Sequence, residues 1–557
     1  MEKILFIVPP HMTYEKFTKP SFNESTNAKK SGIYGSLLTD MPLGVLSLSA
    51  YVKKYTDIET KLIDFNILLN KMDDFKFNSF LEVFNTYLTK NELVDYSPTI
   101  IGISVLFTPS YQSMLDLGNV CRKIFPNAVI IAGGSIPTNM PNEIYKNTNA
   151  FDALCYGEGE KPLLELVQAD NKLKYLEGDP SWITQKKVEN NEKYQHNFIE
   201  DLDEIPFSDY GILDTDEYGF NPAMRAYASI ENKEQNFHVM TSRGCTHHCC
   251  FCASHKVHGR KMRYYSISRV KEDFLRLKNE YGAKVLIFQD DHLMRDKKRA
   301  LEIINIVKNE LELNVVFQNA LAMYALDRKT LEFIRNAGIE QISMSIESGS
   351  EKVLKEIMHK PLSHSIIKRV INDCRDLGIY TNASILVGLP GETKQDLEDS
   401  RAFLKTVPAN WFIILCATPL VGSEMFEICE KNKYFKGNYI GCDFKNAIVE
   451  TEDFTAEYIQ EIAYSFNLDL NFVNNSDFKL GNYENALKGF ENAIRVKNDH
   501  AIAYYFAAKC CKKLNLNKKY IKYKEKYEKI IEKSTFWKKY FDEFNLSSLE
   551  QKQLITN

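Results

Sequence analysis

Cys245, Cys249 and Cys252 lie in the run Thr-Ser-Arg-Gly-Cys-Thr-His-His-Cys-Cys-Phe-Cys, a C-x3-C-x2-C spacing that puts three thiolates on one short loop. Thiolates are the soft ligands that iron–sulfur clusters take, and four would close a cubane. Three leave one iron without a protein ligand, so a cosubstrate can bind there and receive an electron directly. Two plainer readings compete. A structural zinc site takes four ligands, and His247, His248, His255 or His258 lies near enough in sequence to be the fourth. A disulfide cluster needs an oxidising compartment, whereas the opening Met-Glu-Lys-Ile-Leu-Phe-Ile-Val-Pro-Pro reads as a buried strand rather than a secretion signal. Cys250, between two ligands, is expected to point away and to be structural.

The cysteine spacing resembles the signature of the radical S-adenosylmethionine (radical SAM) enzymes, and Phe251, the aromatic before the last cysteine, matches it as well. The resemblance implies a [4Fe-4S] cluster whose open iron is chelated by SAM, reductive cleavage of SAM to a 5′-deoxyadenosyl radical, and an external electron donor such as flavodoxin or ferredoxin. Phe251 is implied to line the SAM site. Asp290 and Asp291 stand where the family contacts the SAM amino group, although one of the two is expected to cap a helix instead. Glu347, in Ser343-Met344-Ser345-Ile346-Glu347-Ser348-Gly349-Ser350, matches the carboxylate that binds the ribose hydroxyls. A carboxylate suits two vicinal hydroxyls because it accepts both bonds at once. Ser384 and Gly388 complete the implied SAM contacts. Gly388 opens Gly388-Leu389-Pro390-Gly391-Glu392, which resembles the loop that backs the adenine and would bring backbone donors and acceptors to the ring edge. Arg263 lies where the family often has an arginine near the cluster; a solvated basic loop is the alternative.

Elements of α/β rhythm must hold these residues. Between about 238 and 430, Lys284–Gln289, Asn314–Asn319, Gln341–Ile346, Thr381–Val387 and Trp411–Ala417 read as strands. The stretches 269–281, 297–311, 327–336, 365–377 and 394–406 read as helices. This repetition implies a complete or partial barrel with its active site at the strands' carboxyl ends. The radical SAM core resembles it as a partial (β/α)6 TIM-like barrel.

Residues 1–165 alternate in the same way. Lys3–Val8, Thr60–Asp64, Ile100–Val105, Ala128–Ala132 and Ala153–Tyr156 read as strands, with crossover helices at Pro42–Tyr55 and Tyr111–Ile124. This pattern predicts a doubly wound parallel sheet, whose ligands bind outside the carboxyl ends of the strands. Found there are Pro9, Pro10, Ser104, Thr108, Gly133, Gly134, Ser135, Gly157 and Glu158. A Gly-Gly after a strand is more often a turn than a cofactor loop. The order Pro42-Leu43-Gly44, Gly102-Ile103-Ser104, Ile131-Ala132-Gly133-Gly134-Ser135-Ile136-Pro137-Thr138 and Tyr156-Gly157-Glu158-Gly159-Glu160 resembles successive motifs of the Rossmann-like cobalamin-binding domain that precedes many radical SAM cores. By that resemblance these edge residues contact cobalamin. The D-x-H-x-x-G motif that supplies a cobalt-ligating histidine is missing; Asp290-Asp291-His292-Leu293-Met294-Arg295 lacks its glycine and lies in the core region. The lower cobalt face is therefore expected to meet water or a non-histidine side chain, with His11 the one local histidine that could intervene.

Residues 166–237 read as a linker ending in Asp201-Leu202-Asp203-Glu204-Ile205-Pro206. The region 431–557 reads as helical. Leu480-Gly481-Asn482-Tyr483-Glu484-Asn485-Ala486-Leu487, followed by Phe490, Ala493, Ala501, Tyr504 and Ala508, resembles a tetratricopeptide helix pair near 475–530, with Asn498 in place of the usual proline. So short a repeat needs a neighbour for its apolar face, hence the core or a peptide or protein partner. The Lys-rich stretch 512–540, mixed with Glu and Tyr, reads as a solvated face rather than a nucleic-acid patch.

Of the 557 residues, 44% are hydrophobic and 26% charged, ordinary values for a globular chain of three to four domains. A net charge of −4 argues against nucleic acid or an anionic membrane as the main partner. Apolar runs are too short for a membrane span. Twelve cysteines without framework spacing suit a reducing cytoplasm. Together the resemblances imply a cobalamin-dependent radical SAM enzyme, with methyl transfer to a non-nucleophilic carbon the leading reaction. Radical rearrangement or ring formation without methyl transfer is the alternative. Methylthiolation would need three more cysteines in the first domain, where only Cys121 and Cys155 stand. A repeat-containing binding protein with a merely structural cluster is the reading from another class. Peptide, lipid, sugar and small natural product all remain open as substrates.

Overall fold

The computed structural model describes residues 2–21, 26–219 and 235–546. They fall into two compact units, the first built from the described residues up to 321 with 418–443, the second from 322–417 with 444–546.

The first unit contains a six-stranded sheet: β1 (Lys3–Val8), β2 (Glu59–Asp64), β3 (Ile100–Ser104), β4 (Val129–Gly133), β5 (Ala153–Cys155) and β6 (Trp182–Ile183), in the order β2-β1-β3-β4-β5-β6. All neighbours pair in parallel except β5 and β6. The apolar run of β1 is buried on both faces, as a parallel strand covered by helices should be. Leu5 and Ile7 enter one core, whereas Ile4, Phe6 and Val8 enter the other. Helix α1 (Leu43–Tyr55) and helix α2 (Tyr111–Ile124) are the two expected crossovers. Chain order reverses between β1 and β3, which makes that gap the switch point of the sheet.

Part of the expected linker belongs to this sheet. Trp182 and Leu176 are core residues, and Leu202 and Ile205 pack with Tyr51 of α1. The polar composition concealed this because the buried stretch is short, Ser181, Trp182, Ile183 and Thr184. The same unit also holds β7 (Asn236–Val239), the short antiparallel pair β8 (Ser242–Arg243) and β9 (Arg263–Tyr264), then β10 (Val285–Phe288) and β11 (Asn314–Phe317). Strands β7, β10 and β11 form a parallel ladder with β10 in the centre.

The second unit has its own parallel ladder, β12 (Gln341–Glu347), β13 (Tyr380–Val387) and β14 (Trp411–Cys416), with β13 central. Helices Arg328–Asn336, His364–Asp376 and Lys394–Leu404 alternate with these strands, and α3 (Ala456–Leu468), α4 (Tyr483–Val496), α5 (Ala501–Lys513), α6 (Asn517–Lys533) and α7 (Thr535–Glu543) follow them in the chain. Ala486, Leu487, Phe490, Ala501, Tyr504 and Ala508 are all buried. Asn471 ties the helices to β14, accepting from Phe412 N–H at 2.7 Å and donating to the Phe412 carbonyl at 2.7 Å. No helix among the described residues is long and apolar enough to cross a membrane.

Candidate active site

The cysteine loop is pinched between β8 and β9, where Arg243 pairs with Arg263 and Ser242 with Tyr264. Gly244 enters it at φ +94, and a Cβ there would lie 2.4 Å from the Lys261 carbonyl oxygen, so only glycine fits this approach. Cys245, Cys249 and Cys252 stay half-buried, while Cys250 is buried and its carbonyl accepts from Met425 N–H at 2.9 Å. Burial pushes the Cys245 thiol up to about 11, a nearby backbone hydrogen bond opposes this, and charge on Cys252, Asp291 and Cys249 adds to it. Thiolates that raise one another's pKa need a cationic centre between them, and this donor set fits the iron of a cluster. No three His, Cys, Asp or Glu among the described residues converge as a single ion requires. Ligands for separate corners of a cubane need not converge.

The two aspartates of the following strand end divide their work. Asp290 is buried and accepts from Thr241 Oγ1 at 2.7 Å, Thr241 N–H at 3.1 Å and Ser242 Oγ at 2.6 Å. Its side chain fixes the chain entering the loop and caps no helix. Asp291 is half-buried, with Oδ2 sealed and lacking a hydrogen-bond partner. Such an acceptor is costly unless a ligand donates to it.

A buried ion cluster joins this loop to the last motif of the first sheet. Glu158 meets Arg263 Nη2 at 2.6 Å, Arg263 Nη1 at 2.9 Å, Arg243 Nη1 at 3.1 Å and His258 Nδ1 at 2.9 Å. Arg243 also donates to Glu160 Oε1 at 2.7 Å, which accepts from Ser47 Oγ at 2.6 Å. Burial alone would raise the Glu158 carboxyl, but Arg243, His258 and Arg263 hold it far below the usual range. Arg263 is thus a core residue and not part of a solvated loop, and the side chain of Glu158 has no valence left for cobalamin.

The remaining edge residues are mixed. Pro9 and Pro10 are buried, their carbonyls accepting from Asn66 Nδ2 and Ser110 Oγ. Thr108 is buried as well. Gly134 stands at φ +103, where a Cβ would lie 2.5 Å from the Val105 carbonyl oxygen; at Gly157, φ +85, a Cβ would lie 2.4 Å from His196 Nδ1. Both glycines are demanded by the protein's own packing. Ser104, Gly133, Gly134 and Ser135 keep part of their surface exposed. Sequence reasoning missed Leu106 and Phe107, large apolar residues left exposed just after β3; the signal was an apolar run outlasting its strand. It also missed Asp40, which accepts from Gln318 Nε2 at 2.9 Å and lies 3.3 Å from His238 Nε2 without hydrogen-bond geometry.

In the second unit, Glu347 closes β12 at φ +69, beside a register shift between Ser345 and Glu347. A non-glycine residue there costs about 1–2 kcal/mol, and such strain collects at ligand sites. Its carboxylate lies 3.0 Å from Lys360 Nζ. Ser384 is half-buried on the neighbouring β13. Gly388 sits at φ +88 against Ile459, 2.6 Å from where its Cβ would be. Its N–H and that of Leu389 donate to Glu392 Oε2 at 2.7 and 3.2 Å, so these two donors are held within the loop. Burial pushes the Glu392 carboxyl up to about 7, against the two backbone donors.

Residues 239–404 match the Radical SAM superfamily and residues 39–167 match the B12 binding domain. These matches and the cysteine loop define the class: a radical SAM enzyme with a B12-binding domain, whose cofactors are a [4Fe-4S] cluster, SAM and cobalamin. The chain is 26% identical over 463 residues to an uncharacterized methyltransferase of Pyrococcus horikoshii, covering 83% of this chain and 90% of that protein. It is 25% identical over 471 residues to cytidylyl-2-hydroxyethylphosphonate methyltransferase of Streptomyces wedmorensis, covering 77% and 86%. Its fold is similar to that of OxsB, a cobalamin-dependent S-adenosylmethionine radical enzyme solved with aqua-cobalamin and S-adenosylmethionine bound, at a TM-score of 0.59 and 14% identity over 99% of this chain and 82% of that one.

Proposed function

We propose that this chain is a cobalamin-dependent radical SAM methyltransferase that acts on an unactivated carbon. The observation that carries the reading is the pairing of a loop of three half-buried cysteines, Cys250 turned inward, with a B12-binding sheet in the same unit. When bound, the cluster with SAM supplies a radical able to remove hydrogen from carbon, and cobalamin supplies a methyl group drawn from a second SAM. The protein's part is holding and orienting. Cys245, Cys249 and Cys252 bind the cluster, with Phe251 packing beside it. Asp291 is assigned the SAM amino group and, within the second unit, Glu347 the ribose hydroxyls, with Ser384 on the neighbouring β13. Leu106 and Phe107 seat the corrin against the edge that carries Ser104, Gly133, Gly134 and Ser135, while Glu158, Arg243 and Arg263 keep that edge and the cysteine loop rigid. An external reductant of the flavodoxin or ferredoxin type supplies the electron, and the helical repeat docks a peptide or protein partner.

The test needs no substrate. Anaerobic, reduced protein loaded with cobalamin is given SAM carrying an isotopically labelled methyl group. Label appearing on the protein-bound corrin, with matching S-adenosylhomocysteine, is the expected result. Deoxyadenosine without any label on the corrin would instead favour radical rearrangement or ring formation.

A further inference from the structure

Cys252 has a side-chain neighbour outside the cysteine spacing. Ser254 Oγ lies 3.4 Å from Cys252 Sγ, within hydrogen-bonding reach of a sulfur. In a free thiol either atom could donate. Binding to iron removes the thiol proton, so on a ligated Cys252 the serine hydroxyl is the donor and the thiolate the acceptor.

Ser254 stands at the N-cap of a single helical turn, His255–His258, yet its side chain makes no capping bond. A capping serine ordinarily has an extended backbone and turns its oxygen onto the N–H groups ahead. Here the backbone is already helical, φ −58 and ψ −31, and the hydroxyl turns to the sulfur instead. The turn is braced at both ends. The Ser254 carbonyl accepts from Val257 N–H and His258 N–H, each at 3.0 Å, and Cys252 N–H donates to the Cys249 carbonyl at 3.1 Å. At the far end His258 Nδ1 meets Glu158 Oε1 at 2.9 Å, which anchors the turn on the buried ion cluster.

We infer that Ser254 is a positioning residue for electron entry: its hydroxyl donates to Cys252 Sγ and raises the reduction potential of the iron–sulfur cluster. The inference rests on the cluster reading above. Reduction takes one electron from the flavodoxin- or ferredoxin-type donor, puts part of the added charge on the ligating sulfurs, and moves no proton. A donor at the sulfur favours the more negative, reduced form, which is how hydrogen bonds to sulfur tune such potentials.

The experiment is a reductive titration of the full chain carrying its cluster, anaerobic and without SAM, followed by electron paramagnetic resonance of the reduced cluster. Ser254→Ala should lower the midpoint by the equivalent of about threefold to tenfold in the reduction equilibrium, that is about 30–60 mV at about 59 mV per tenfold for one electron. Ser254→Thr, which keeps the hydroxyl, should titrate with the native chain. Bound iron and the unfolding midpoint should be alike in all three, which separates tuning from loss of fold. Where Ser254→Ala assembles no cluster, Ser254→Gly takes its place. A midpoint unmoved in Ser254→Ala, or lowered equally in Ser254→Ala and Ser254→Thr, would overturn the inference while leaving Cys252 a ligand. A native chain that takes up no cluster would overturn the cluster reading itself, and the inference with it.

Discussion

Glu158 and Glu347 hold similar stations in different units, each near the carboxyl end of a parallel strand, and each resembles a cofactor contact by motif. Their surroundings separate them. Glu158 accepts from two arginines and a histidine in full burial, on an ordinary backbone. Glu347 has a single lysine partner and a left-handed backbone beside an irregular ladder. A saturated carboxylate fixes architecture; a strained one with spare acceptor capacity is ready for a ligand. Motif position finds both, and only the partner set tells which work each does.

The largest effect should come from breaking the saturated side. Glu158→Ala leaves Arg263 buried without its counter-ion and Arg243 with Glu160 alone, which costs about 3–5 kcal/mol and is read as a lower denaturant midpoint for the first unit. The pH dependence has a fixed sign. A carboxyl depressed in the fold contributes in full above its unfolded pKa, about 4.3, and that contribution fades as pH falls toward the folded value. Acid should therefore destabilise the native chain more steeply than Glu158→Gln. A midpoint for Glu158→Ala equal to native would put Glu158 at the ligand edge after all.

Glu347→Gln sharpens the other side. Losing charge-assisted acceptance of two hydroxyls costs about 1.5–3 kcal/mol, so SAM should bind at least about tenfold more weakly in equilibrium dialysis, with the unfolding midpoint nearly unchanged. Unaltered SAM affinity would make the strain at Glu347 a packing feature. A comparable effect is expected at Glu392, whose pKa is raised by burial to about 7. An acid raised in the fold loses stability as pH climbs from its unfolded value through 7, so Glu392→Gln should be the more stable form by about 3 kcal/mol at pH 8 and equal to native near pH 4. Equal stability of the two at pH 8 would mean that Glu392 ionises freely in the fold. The least effect belongs to Lys522 on the solvated face of α6. Lys522→Ala should shift stability by no more than about 0.5 kcal/mol in thermal melts, and a larger shift would mark a packed surface.

Periodicity was sufficient wherever burial on both faces set the pattern. Lys3–Val8 and the helix Tyr111–Ile124 fall where the apolar spacing puts them, and most core strands agree within a residue or two. It failed where pattern is too short to read: β6 has two residues, and β7 carries the buried polar pair Asn236 and His238. The cysteine loop was legible because its chemistry is compressed into eight residues, 245–252. The ion cluster was not, since Arg263 lies 105 residues from Glu158. No local signal tells that a basic loop residue will find a carboxylate so far along the chain. The same holds for Asp290, whose partners Thr241 and Ser242 appear only when strand end and loop are assembled.

Neighbouring cysteines offer the most direct test of the central claim, that Cys245, Cys249 and Cys252 hold a cluster with an open corner while Cys250 belongs to the core. Cys249→Ala and Cys250→Ala, prepared anaerobically, are compared for bound iron and for deoxyadenosine formed from SAM under reduction. The account predicts that Cys249→Ala loses most of the roughly four irons of a cubane and all SAM cleavage, while folded Cys250→Ala keeps both. Full iron and undiminished cleavage in Cys249→Ala would contradict it.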